Sequence, residues 1–179
     1  MRYFKKLVGE RIYLSPINTD DAELYTKWLN DPEVSGFVGN YNQMITLHNE
    51  KKQLESMAET GQHFAIVKLE GDALIGNISL KDILNPVYRR AELGIFIGDA
   101  ENQGRGYGAE AIRLLLGYGF KTLNLHCVVL YVHADNGRAI ACYKKTGFRE
   151  CAYLREAIFK CGRYVDVIGM DMLESEFAD

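Results

Sequence analysis

The stretch Gln103-Gly104-Arg105-Gly106-Tyr107-Gly108-Ala109 stands between an apolar run rich in β-formers, Ala91-Glu92-Leu93-Gly94-Ile95-Phe96-Ile97, and a Leu/Ala-rich helical pattern from Ala109 to Lys121. Glycine has no Cβ, so a loop dense in it brings main-chain N–H groups close to an anion. The start of a helix behind the loop adds the positive end of its dipole. Strand, loop and helix in that order make a cradle for a pyrophosphate, and the details of the loop select which one.

A P-loop needs Lys-Ser/Thr after its last glycine, whereas Gly108 is followed by Ala109-Glu110. A dinucleotide fingerprint G-x-G-x-x-G/A can be traced through Gly104, Gly106 and Ala109. That motif starts at the strand end and opens a parallel sheet. Here Asp99 to Gln103 intervene after Gly98, and three antiparallel-looking strands come first. A third pattern, Q/R-x-x-G-x-G/A, is matched by Gln103, Gly106 and Gly108, with Ala109 next.

Working outward, Arg11 to Ile17 reads as a strand with Ile12, Leu14 and Pro16 on its apolar face. Thr19 is placed as the N-cap of a helix through Trp28 that Asn30-Asp31-Pro32 ends. A second helix runs from about Thr46 to Glu59 and stops at Gly61. Strands His63–Leu69 and Ala73–Leu80 flank the turn Glu70-Gly71-Asp72, and Asn85-Pro86 breaks the chain before the strand at 91–97. After the glycine loop come a helix, a strand at Cys127–His133 and a helix from Gly137 to Lys145 that Gly147 closes. A hairpin, Ala152–Phe159 and Tyr164–Met172, turns at Cys161-Gly162-Arg163. No repeat or Pro/Ser-rich linker divides this α+β pattern, so residues 1–179 read as one domain.

Bulk properties narrow the partners. A chain of 179 residues, 47% hydrophobic and 25% charged, has the composition of a soluble globular domain. A net charge of −3 lacks the basic footprint of a nucleic-acid binder. No apolar run approaches a membrane span, and Met1-Arg2-Tyr3-Phe4-Lys5-Lys6 lacks the apolar stretch of a signal peptide. The cysteines at 127, 142, 151 and 161 form no C-x-x-C, and the histidines at 48, 63, 126 and 133 give no zinc pattern, so no metal is expected. Free thiols in a reducing cytoplasm are the reading of those cysteines.

The Gln103–Ala109 pattern resembles the pyrophosphate-binding motif of the GNAT superfamily of N-acetyltransferases. A second block strengthens the resemblance: Asn136, Ala139, Tyr143, Gly147 and Phe148 match its N-x-x-A-x-x-x-Y-x-x-x-G-F. Gly9-Glu10-Arg11-Ile12 with Trp28-Leu29-Asn30-Asp31-Pro32-Glu33-Val34 looks like the ribosomal-protein alanine acetyltransferase branch. The segment from Val87 to Leu125 also resembles spermidine N-acetyltransferases, although Val38-Gly39-Asn40-Tyr41-Asn42 lacks the carboxylates with which that branch recognises polyamines. The resemblance implies a mixed, mostly antiparallel sheet splayed at the cofactor site and flanked by helices. It also implies transfer of an acetyl group from acetyl-CoA to a primary amine, and leaves a homodimer or higher homo-oligomer open.

On that resemblance, Gly104, Arg105, Gly106, Tyr107, Gly108 and Ala109 bind the pyrophosphate with Gln103, and Phe96, Ile97 and Gly98 offer main chain to the pantetheine arm. Asn136 contacts the pantetheine or caps the helix that follows it, two roles that can coexist. Tyr143, two helical turns on, protonates the leaving thiolate; its alternative is a core tyrosine. Glu92 takes the amine proton, or pairs with Arg89 or Arg90 while an ordered water is the base. Arg89-Arg90 grip the 3′-phosphate or flank a turn, and Trp28, Phe37 and Tyr41 line an acceptor pocket or the core. The candidate acceptors are a protein N-terminal amine, a polyamine and an amino sugar or aminoglycoside. A non-catalytic acyl-CoA sensor is the reading of another class.

Overall fold

The computed structural model describes residues 2–38, 42–83 and 87–178. They hold eight strands of mixed direction and five α-helices. The chain forms two compact units, residues 1–79 with 95–111 and residues 80–94 with 112–179.

In the first unit, β1 (Leu7–Val8), β2 (Ile12–Pro16), β3 (His63–Lys68) and β4 (Leu74–Lys81) pair antiparallel in that order. β1 is too short for alternation to announce it, and the sequence reading missed it. β2 departs from the expected pattern: Ile12, Tyr13, Leu14 and Ser15 are all buried while Pro16 is exposed. Both faces of β2 are covered, so its side chains do not divide by period two. Gly71 (φ 74°) and Asp72 (φ 49°) make the turn between β3 and β4, and Asp72 also accepts from the Tyr13 hydroxyl at 2.8 Å.

The helices of this unit start where side chains satisfy their open N–H groups. Thr19 is not the cap: the Asn18 side chain accepts from Asp20 N, and Thr19–Asp21 form a 3₁₀ turn before α1 (Ala22–Leu29). Asn30 follows α1, but Pro32 does not simply end it. Asp31 caps a second short helix, α2 (Pro32–Ser35), with proline in its first turn, where no N–H is needed. Thr46 caps α3 (Leu47–Thr60), which stops at Gly61 in the left-handed conformation. The segment 39–41, with Tyr41, and the break at Asn85-Pro86 lie outside the described residues.

α1 buries Ala22, Tyr25, Trp28 and Leu29, one face of its turns. Trp28 meets Tyr25 (5.5 Å) and Phe96 (6.0 Å) edge-on, and its Nε1 donates to Asp99 at 2.9 Å. Trp28 is therefore core. Phe37 is 40% exposed and does not join it in the core. The indole also fixes the end of β5 (Arg90–Ile97), because a Cβ on Gly98 would lie 2.0 Å from its Cδ2. Gly98 N donates to Ile75 O at 2.9 Å, and a Cβ on Gly76 would sit 2.1 Å from the Phe96 carbonyl. Glycine at these two places lets the end of β5 press onto β4 and the indole.

The helix after the glycine loop, α4 (Tyr107–Lys121), starts two residues earlier than Ala109. In the second unit the strand order is β5, β6 (Cys127–His133), β8 (Arg163–Leu173), β7 (Arg149–Lys160). β5 and β6 run parallel, with register pairs from Arg90↔Cys127 to Glu92↔Val129; β6 and β7 each pair antiparallel with β8. α5 (Gly137–Lys145) is followed by Gly147 at φ 103°. The hairpin turns through Cys161 and Gly162, both at positive φ, the hand that suits strand twist.

The Gly98 contact is testable. Overpacking there costs about 1–3 kcal/mol, so Gly98→Ala is expected to lower Tm by about 3–10 °C. Gly137→Ala, where a Cβ meets nothing within 4 Å, stays within about 2 °C of the parent. Equal melting of all three proteins would refute the indole contact.

Candidate active site

In the first unit the glycine loop is tied back to the chain around it at several of its carbonyls. Gln103 does not reach outward: its side-chain Nε2 donates to Ile97 O at 3.0 Å, closing the loop back onto the strand. Asn102 N donates to Asp99 O and Gln103 N to Ala100 O. Gly104 (φ 71°) and Gly106 (φ 85°) both take the left-handed conformation that disfavours a side chain. The first bond into α4 runs from Glu110 N to Gly106 O at 3.1 Å. The N–H groups of Tyr107, Gly108 and Ala109 therefore precede the helical ladder and face its N-terminal end.

Space agrees with that use. A Cβ on Gly104 would meet nothing within 4 Å, and on Gly108 only an Ile95 methyl at 3.8 Å. The fold does not itself demand glycine at 108, where φ is ordinary; what glycine leaves there is room over the first turn. Gly104, Arg105 and Gly106 are exposed, while Ala109 is buried. An anion fits such a site, since main-chain amides and the helix dipole favour negative charge. These residues suit a diphosphate.

Two residues here escaped the sequence reading as site residues. Glu110 accepts from Arg11 N (2.8 Å) and Ile12 N (3.2 Å) and pairs with Arg11 Nε at 3.0 Å. Arg11 also donates to the Arg105 carbonyl at 2.9 Å, and its guanidinium lies 4.8 Å from the Tyr107 ring centroid. Arg11 entered the sequence reading only as the start of a strand and part of a branch resemblance. The signal for Glu110 was its place in the first turn of a helix.

The second unit holds the other candidates. Asn136 caps α5, its side chain accepting from Ala139 N at 3.1 Å. Tyr143 on α5 is 9% exposed and packs edge-on against Phe148 at 6.1 Å, and burial pushes its pKa up to about 12. Glu92 is half-buried on β5. One of its two expected partners is engaged elsewhere: Arg89 donates to Asn124 O and Oδ1, both at 2.7 Å, and lies 3.6 Å from Glu174. Arg89 thus ties a turn. Burial raises the Cys142 thiol, so it lacks the low pKa of a nucleophile.

The family model described as "Acetyltransferase (GNAT) domain" matches residues 11–149. The chain is 31% identical to a spermidine N(1)-acetyltransferase of Vibrio cholerae over 94% of its own length and 90% of that protein. It is 29% identical to an uncharacterized N-acetyltransferase, p20, of Bacillus licheniformis, over 96% and 98% of the two chains. Among solved structures it is similar to spermidine N-acetyltransferase from Vibrio cholerae in complex with CoA and spermine. There the TM-score is 0.80 at 28% identity, covering 92% of this chain and 96% of that one. A GNAT acetyltransferase from Bacillus anthracis shares the fold, with a TM-score of 0.83 at 20% identity over 95% and 99%. The chain belongs to the GNAT family and is an acetyl-CoA-dependent N-acetyltransferase.

Proposed function

We propose that residues 1–179 act as one domain that moves the acetyl group directly to a primary amine in a ternary complex, with a small polyamine-like amine as the leading acceptor. The names of the Vibrio cholerae relatives support that acceptor class. The resemblance to the ribosomal-protein alanine branch supports the second, a peptide N-terminal amine. The observation that carries the reading is the run of outward amides at the start of α4, behind two glycines at positive φ. Acetyl-CoA supplies the activated acetyl group; the chain's residues hold it, orient it and manage protons. The four free cysteines support a reducing cytoplasm as the setting.

The amides from Gly104 to Ala109 hold the diphosphate, and Gln103 serves them by closing the loop on Ile97 rather than by contact. The main chain at Phe96, Ile97 and Gly98 takes the pantetheine, as does Asn136 beside its capping role. Glu92 or an ordered water receives the amine proton; of the two arginines that could pair with Glu92, Arg89 is committed to Asn124.

Tyr143 donates to the departing sulfur. Its raised pKa refines that role. A phenol near 12 gives its proton to a thiolate of pKa about 8.5 only uphill, so its first service is a hydrogen bond to the developing charge. Burial keeps the phenol protonated, so kcat is expected to show no alkaline limb from this group below about pH 10. Tyr143→Phe is expected to lower kcat about 100-fold and change the acetyl-CoA KM less than threefold, as steady-state kinetics would register. Near-normal turnover would remove Tyr143 from the mechanism.

Glu92→Gln is expected to abolish the acidic limb of the kcat/KM profile; a retained limb assigns the base to water. The acceptor is tested by thiol release from acetyl-CoA with spermidine, spermine, peptides with free N-termini and aminoglycosides. Turnover with polyamines supports the leading class, and turnover with peptides alone transfers the assignment to the second. CoA binding without release across the panel would return the sensor reading.

A further inference from the structure

The loop carries a device that none of its own residues supplies. Arg105 C=O and Gly106 N–H belong to one planar trans peptide, so the two point in opposite directions. The Arg11 guanidinium donates to that carbonyl at 2.9 Å. The Gly106 N–H is thereby turned away from the Arg11 guanidinium. We propose that Arg11 is a positioning residue for the diphosphate: by holding the Arg105 carbonyl, it aims the Gly106 amide at the anion. This rests on the pyrophosphate reading of the loop given above.

An arginine so close to a phosphate loop invites the simpler idea of a direct charge contact. The geometry gives it other work. Nε faces the Glu110 carboxylate at 3.0 Å, one amino group serves the carbonyl, and the plane lies over Tyr107 at 4.8 Å. The other amino nitrogen lies 3.3 Å from where a Cβ of Gly106 would be, so the guanidinium packs directly under the turn. Glu110 completes the brace from the helix side, anchoring the Arg11 and Ile12 amides of β2. Its carboxylate is 15% exposed and pairs with Arg11. Without Arg11, an unpaired negative charge would stand in the first turn of α4, where a diphosphate must bind.

Acetyl-CoA kinetics with ADP and pantetheine as separate inhibitors test the assignment. ADP carries the diphosphate without the arm, and pantetheine carries the arm without the diphosphate. Arg11→Ala is expected to raise the acetyl-CoA KM and the ADP inhibition constant about tenfold, with pantetheine inhibition shifted less than twofold and kcat less than threefold. Arg11→Lys, which keeps a donor and the charge, is expected to recover part of the ADP affinity. Equal weakening of both inhibitors, or of neither, overturns the inference. Should Arg11→Ala fail to fold, Arg11→Lys carries the test with the fork to the Arg105 carbonyl lost. It must then weaken ADP about threefold and pantetheine less than twofold, and the absence of that selectivity overturns the inference equally. A parent enzyme that binds CoA but ignores ADP overturns the pyrophosphate reading itself, and is recognised before any variant is made.

Discussion

A stretch of main chain presents its N–H groups to an anion most firmly where its carbonyl oxygens are held by other donors. The segment from Ile97 to Gly106 has five carbonyls held in this way. Ile97 O is taken by the Gln103 side chain, Asp99 O and Ala100 O by amides within the same turn, Arg105 O by Arg11 and Gly106 O by the first helical amide. A diphosphate held there, as proposed, would meet donors already oriented, with little ordering left to be done on binding. The remaining features of the first unit serve this arrangement. Trp28 packs against Gly98, Gly98 N bonds to Ile75, and the strand end from which the loop departs is thereby fixed.

The second unit solves a different problem, a buried phenol. Tyr143 sits on a nine-residue helix whose first turn is secured by Asn136, and Thr146 closes its end by donating its hydroxyl to Cys142 O and Tyr143 O. Gly147, at φ 103°, then lets Phe148 return to face the Tyr143 ring. The same short block of sequence thus supplies the cap, the hydroxyl, the stop and the packing partner. Burial makes the phenol a poorer acid and a stable donor, because it disfavours the phenolate.

Elements with strong local signals were legible in the sequence. The strand at 127–133 and the helix at 137–145 stand as read, because a valine-rich apolar run and a capped helix ending before glycine state themselves locally. Thr19 and Asn18 could not be separated, since either can cap and the choice depends on a 3₁₀ turn. Pro32 looked like a terminator, yet proline also opens helices, and Asp31 before it decided for the latter. Ser15 in β2 was unreadable because burial on both faces erases alternation. The loop's glycines were legible through their backbone freedom. Arg11 was not, because its partner Glu110 is 99 residues away and nothing local marks the pair.

That separation has a consequence for how the protein comes into being. A contact closing so long a stretch of chain costs more loop-closure entropy than a local one. During synthesis β2 leaves the ribosome well before α4, so the brace waits for its counterpart and not the reverse. On the role proposed for Arg11, an N-terminal trim reaching that residue would leave a helix with its glycines intact and the Gly106 amide unaimed.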